Sequence, residues 1–330
     1  MSGAQGTAGG FSAEELELMA LLLEEAGIED AAPGTIARRP SGARVPLTFA
    51  QRRLWFLEQL EPETRIYNDA FSHRLVGDLD VAALQAAIDG LVERHESLRT
   101  VFVEEGGEPL QVVRENCRIP LEIHDLSRLP EGEQMEEVRR IADRATYTPF
   151  DLSRGPLLRP VLMRLGERDH ALVIAVHHII NDGWSLGIFF TELSALYDAA
   201  RKGEPSPLPP LALQYGDFAV WQHEHLSDAA IERQMTYWKE RLRGAPTVLE
   251  LPTGRVRPAE QTYRGAGYDF TLPRSLAAGL HTLAQEEAAT LFMVAYAALV
   301  TLLGRYTGEE DIVVGSPIAN RTRPELEGLI

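Results

Sequence analysis

The 330-residue sequence has a single cysteine, Cys117, so no internal disulfide framework is available to it, and a lone thiol fits a reducing, cytoplasmic compartment. It also lacks long apolar runs. Stretches such as "LMALLL" and "ALVIAV" fall far short of the roughly 18 residues that a membrane span needs. No basic-then-apolar leader opens the chain. Basic residues are scarce, 32 Lys and Arg against 49 Asp and Glu, giving a formal charge of -17. With no basic stripe to hold a phosphate backbone, nucleic acid is excluded as a partner, and a membrane is not expected either. No G-x-x-x-x-G-K-[ST] loop is present, so nucleotide chemistry must be done elsewhere. Apolar residues are plentiful at 45%, enough for two domains or one large one.

Residues 1–45 have the composition of an acidic helix and a linker. "SAEELELMALLLEEAG" has Ser12 as N-cap, Glu15 closing a capping box, Gly27 as the stop, and an apolar stripe of Leu16, Met19, Leu22 and Leu23. The Pro, Gly and Ser of "AAPGTIARRPSGARVP" then predict a linker, which places the domain start near Pro46. Beyond it, "LTFAQRRLWFLEQL" and "DVAALQAAIDGLVERHESLR" have helical periodicity, and "TVFVEE" and "LQVVRE" predict strands. "LLRPVLMRL" and "HALVIAVHHI" predict a hairpin around "GERD", and "SLGIFFTELSALYDAARKG" a helix stopped by Gly203. Further on, "YDFTLP" and "EDIVVGSPIA" are predicted strands and "LFMVAYAALVTLLGRY" a buried helix. Helices and strands are mixed, so the class is α/β or α+β.

The stretch "AVHHIINDGWSLG", residues 175–187, carries two overlapping signatures. Gly-Trp-Ser-Leu-Gly fits the G-x-S-x-G turn of a serine nucleophile at Ser185, but "IIND" separates the strand from Gly183 where an elbow needs them joined. The other signature, His-His-x-x-x-Asp-Gly, centres on histidine. Adjacent strand residues point to opposite faces, so His177 and His178 cannot share one job, and they do not converge on a metal, which is not expected here.

The His-His-x-x-x-Asp-Gly motif resembles the core of the condensation domains of nonribosomal peptide synthetases, relatives of chloramphenicol acetyltransferase. The resemblance extends to "TFAQRRLWFL" with Thr48 where Ser is usual, "RHESLRTVF", "YGDFAVW" with Phe218 for Tyr, and "GSPIANR", in the family's order over residues 46–330. It implies two chloramphenicol-acetyltransferase-like lobes in a V, the first over 46–222 and the second begun at 223–330. The family's second lobe continues past the wording "RPELEGLI", so the second lobe is expected to be incomplete. It implies that upstream and downstream carrier proteins present thioesters on phosphopantetheine, no cofactor being bound directly, and that an acceptor amine attacks the donor thioester. His178 would be the general base or positioning group. The backbone N–H of Gly183 and the Ser185 hydroxyl are candidate donors to the thioester oxygen. His177 would pack, and Asp182 would pair with Arg99 or Arg321, which the resemblance does not rank. Trp184 followed by Ser185 resembles the wording of domains that join two L-residues. Starter acylation and ester formation are the alternatives; a serine hydrolase using Ser185 and a non-catalytic fragment are the others. The helix over 12–26 is placed to dock on an upstream synthase subunit.

Overall fold

The computed structural model describes residues 35–61, 65–226, 228–254, 265–321 and 323–330. The acidic helix over 12–26 lies outside the described residues. Contacts divide the chain into two units, one formed by the chain up to Ala230 together with Ala319–Ile330, the other by Ile231–Ile318.

The first unit begins earlier than the linker composition indicates. Ile36 is buried with Leu213, Phe218, Leu326 and Leu329. Arg39 Nη1 donates to Asp217 Oδ1 at 2.7 Å while its Nη2 donates to Glu96, so one guanidinium neutralises two carboxylates from distant parts of the sequence. Prolines, glycine and serine around these residues keep the segment irregular, and its two anchoring side chains have no periodicity to reveal them.

From there the elements follow their local signals. A short strand β1 (Val45–Pro46) leads to helix α1 (Phe49–Leu60), where Thr48 and Gln51 form a reciprocal capping box. Strand β2 (Asn68–Val76) precedes helix α2 (Val81–Arg94), whose Leu84, Ile88 and Leu91 form the buried stripe expected of helical spacing. The predicted strands β3 (Thr100–Glu105) and β4 (Glu108–Val113) pair as a hairpin and, with β1, make a three-stranded sheet in the order β1-β4-β3. Next come strand β5 (Glu122–Asp125), helix α3 (Glu131–Tyr147), strands β6 (Leu158–Gly166) and β7 (Asp169–His177), helix α4 (Gly183–Lys202) and helix α5 (Tyr215–His225). A four-stranded sheet runs β2-β7-β6-β5, with β5 parallel to β6 and the other pairs antiparallel.

The inner strands β6 and β7 are apolar along nearly their whole length because both are covered, and they supply Val161, Leu162, Met163 and Leu172–Val176 to the core. Helices α2 and α4 pack together at Gly90, where a side-chain carbon would stand 3.4 Å from Leu196 Cδ1. Gly203 ends α4 in the left-handed conformation, with φ 68°, as its position predicts. The mixed α/β class is therefore the one that forms.

Helix α6 (Asp228–Arg241) spans the boundary between the units. The second unit holds helix α7 (Arg274–Glu286) and helix α8 (Leu291–Thr307), the latter capped by Thr290 and stopped by Gly308. Two expected strands do not form here. "YDFTLP" and "EDIVVGSPIA" are not strands: a strand exists only when a neighbour completes its ladder, and none is present among the described residues of this unit. Helix α8 forms where its composition predicts but has no buried residue, leaving Phe292, Met293, Leu302 and Tyr306 exposed. No single helix among the described residues is long and apolar enough to cross a membrane.

Candidate active site

The two histidines separate as strand geometry requires. His177, the last residue of β7, is buried, and its Nδ1 accepts the backbone N–H of Ile179 at 3.1 Å. That bond assigns its proton to Nε2, which faces the buried Glu58 of α1 at 3.9 Å. The ring also packs against Phe150 and Tyr67. His178 begins a single 3₁₀ turn, His178–Ile180, and its side chain is 43% exposed. Its backbone N–H donates to Tyr67 O at 2.7 Å, carrying the β2–β7 pairing one step beyond the strand. Its Nδ1 lies 2.9 Å from Asp69 Oδ2, and this hydrogen bond raises the imidazole pKa above its ordinary value against the opposing pull of burial.

Asp182 and Ser185 cap the start of α4 reciprocally. Ser185 N–H donates to Asp182 Oδ1 at 2.7 Å, and Asp182 N–H donates to Ser185 Oγ at 3.3 Å. Of the two candidate arginines, Arg321 is the partner. Its Nη2 lies 3.2 Å from both Asp182 carboxylate oxygens, and its Nη1 donates to the carbonyls of Leu326 and Leu329. Its side chain is 7% exposed, against 37% for Asp182. Burial pushes the Asp182 carboxyl up, but the bonds from Ser185 and Arg321 outweigh it and hold the group below its usual range. Arg99 instead donates to the carbonyls of Val92 and Arg114.

Ser185 is not placed as either reading of its hydroxyl expects. It is 1% exposed, its one proton goes to Asp182 Oδ1 at 2.5 Å, and it accepts from Arg321 Nη2 at 3.1 Å. A hydroxyl has one proton to give, so it is available neither to a thioester oxygen nor, with no histidine among these partners, for activation as a nucleophile. A serine-directed fluorophosphonate is accordingly expected to leave Ser185 unlabelled; labelling that disappears in Ser185→Ala would overturn that assignment. Gly183, first in α4, is exposed, and its N–H is one of the four that a helix leaves without an internal acceptor. Trp184 is exposed and its Nε1 donates to Glu327 O. No group of residues with metal-ligand geometry occurs among the described residues.

Sequence reasoning missed Asp69 and Glu58. Asp69 carries no motif, and only the register of β2 against β7, which sets Asp69 opposite Val176, brings it beside His178.

This strand-end histidine beside an arginine-anchored helix start lies in a stretch matched by a family profile: the Condensation domain profile matches residues 42–330, and the chain belongs to that family. It is 48% identical to a linear gramicidin synthase subunit of Brevibacillus parabrevis over 87% of this chain and 6% of that protein. It is 45% identical to phosphinothricin tripeptide synthetase PhsC of Streptomyces viridochromogenes over 91% of this chain and 28% of that one. The chain thus spans a small part of these relatives. Among solved structures, the X-domain from teicoplanin biosynthesis superposes with a TM-score of 0.77 at 32% identity, covering 90% of this chain and 65% of that one. The first condensation domain of the CDA synthetase gives 0.66 at 28%, covering 85% and 67%.

Proposed function

We propose that this chain catalyses amide-bond formation between two carrier-bound substrates, as a condensation unit of a nonribosomal peptide synthetase. The donor is an aminoacyl or peptidyl thioester on the phosphopantetheine of an upstream carrier protein, and the acceptor is an aminoacyl group on a downstream one. The acceptor amine attacks the thioester carbon and a C–N bond forms. The C–S bond then breaks, and the proton lost by the amine ends on the departing thiol. The observation that supports this reading best is His178, a half-exposed imidazole adjoining a buried one in the chain and feeling the charge of Asp182, the N-cap of the helix that Gly183 begins. His178 meets the amine, and Gly183 N–H faces the charge that develops on the thioester oxygen. Asp182, Ser185 and Arg321 hold the helix start that carries Gly183, and His177 packs beneath. Trp184 with Ser185 supports a donor and an acceptor that are both L-configured.

The test is reconstitution within the synthetase, with carriers loaded in turn with L-aminoacyl, D-aminoacyl and fatty-acyl donors and with amine or hydroxyl acceptors. Dipeptide from the L,L pair is expected to dominate. A preference for the fatty-acyl donor or the hydroxyl acceptor would move the chain to starter acylation or ester formation.

Residues 12–26 would dock on an upstream subunit through their acidic, amphipathic character. The deletion that tests this ends at residue 34, because Ile36 and Arg39 anchor the first unit. Removing 1–34 is expected to weaken transfer from the upstream partner and leave the melting temperature unchanged; a drop in melting temperature would show that the segment serves the fold.

A further inference from the structure

Asp69 reaches the site through strand pairing and not through any sequence signature. The β2–β7 ladder sets Asp69 opposite Val176 and Asn68 opposite His177, and Tyr67 O accepts the N–H of His178. Asp69 is thus the diagonal cross-strand neighbour of His178, at a separation that side chains of this length span. Its carboxylate, 37% exposed, meets Nδ1 at 2.9 Å. Backbone pairing through Tyr67 and Asn68 fixes the positions from which the two side chains reach each other.

We propose that Asp69 is a positioning residue for the reaction: it holds His178 with the proton on Nδ1, turns the Nε2 lone pair to the acceptor amine, and stabilises the imidazolium formed when that proton arrives. This rests on His178 being the group that meets the amine. An imidazole has one donor and one acceptor nitrogen when neutral, so the partner of one ring nitrogen decides the role of the other. Asp69 Oδ2 can only accept, which leaves Nε2 as the base. When the amine nitrogen bonds to the thioester carbon, its proton moves to Nε2; when the C–S bond breaks, the same proton passes to the sulfur.

The other charged groups around the ring act in the same direction or are already engaged. From α4, Asp182 also favours the charged imidazole, but more weakly, and its own carboxylate is bound by Arg321 and Ser185. From α1, Glu58 faces His177. Hence the hydrogen bond from His178 to Asp69 is the largest influence on the ring, and removing its charge is expected to lower the pKa of His178.

Nitrogen-15 labelling of histidine tests this on the 330-residue chain without any catalysis, the His178 signals being assigned by their loss in His178→Ala. The neutral ring is expected to carry its proton on Nδ1, and its titration midpoint is expected to fall in Asp69→Asn, which keeps the shape of the side chain and removes the charge. In the synthetase, the acid limb of the condensation pH profile should move to lower pH in the same variant. The plateau should fall by less than the ~10²- to 10⁴-fold loss expected for removing the base itself. A neutral ring protonated on Nε2 in the unmodified chain, a measurement that needs no variant, or an unmoved midpoint in Asp69→Asn would overturn the proposal. If the midpoint moves but His178→Ala condenses at the unmodified rate, the Asp69–His178 pair stands and the assignment of His178 to the amine falls, taking the role of Asp69 in the reaction with it.

Discussion

His178→Ala is expected to lower the rate of amide formation by ~10²- to 10⁴-fold, the range for losing a group that moves or positions a proton in the transition state, while the melting temperature stays within error of the unmodified chain. The two halves of this expectation have separate causes. The imidazole is half-exposed and contributes little buried surface, and the contact that fixes its backbone, the N–H to Tyr67 O, survives truncation to alanine. The chemistry has no such reserve, because His177, the adjacent imidazole, is buried with Nδ1 occupied by Ile179 N–H. The neutral acceptor amine must shed a proton on attack at any pH, so the loss should be largest on the plateau of the pH profile and smallest at acid pH, where His178 of the unmodified chain is itself protonated. Single-turnover measurement of dipeptide on loaded carriers, with substrate binding held saturating, reads the chemical step. Dipeptide formed at the unmodified rate would remove His178 from the mechanism.

Asp182→Ala is expected to act the other way round, on the fold first. The loss strips the N-cap from α4 and leaves the 7%-exposed Arg321 without its carboxylate. Breaking a buried pair costs about 3 to 5 kcal/mol. The exposure of Asp182 and the carbonyls of Leu326 and Leu329, which Arg321 keeps, place this case at the low end, about 3 kcal/mol. That corresponds to a fall of about 6 to 12 °C in melting temperature. The pH dependence has a definite sign. The folded Asp182 pKa is depressed, so its contribution is present above the ordinary carboxylate range and is lost as pH falls through the depressed folded value. The gap in stability between Asp182→Ala and the unmodified chain should therefore close on acidification. Equal melting temperatures for Asp182→Ala and His178→Ala at neutral pH would show that the Arg321 pair does not hold α4 in place.

Local signals were a sound guide in the first unit. The capping box at Thr48 and Gln51, the α2 stripe, the β6–β7 hairpin and the Gly203 stop are each encoded within a few residues, and each formed where that code places it. Strand β2 was not legible, because "NDAFSHRLV" lacks alternation and its identity comes from nine residues of pairing with β7. The anchors Ile36 and Arg39 were hidden for the same reason, their partners lying more than 170 residues away in sequence at Leu213 and Asp217. In the second unit the composition overstated order: "EDIVVGSPIA" has the residues of a strand, yet a strand cannot satisfy its own backbone as a helix can, and it remains irregular where α8 forms.

The sequence by itself determined the mixed α/β class and the family, and it indicated that His177 and His178 face different ways, since side-chain direction at a strand end follows from the backbone alone. The tertiary structure decided everything that depends on contact across distance. It chose Arg321 over Arg99 for Asp182, committed the Ser185 proton to that same carboxylate, and brought Asp69 to His178. A sequence records which groups are available, and these choices turn on which of them arrive within about 3 Å of one another with their polar atoms aligned, a condition set by strand register and helix packing.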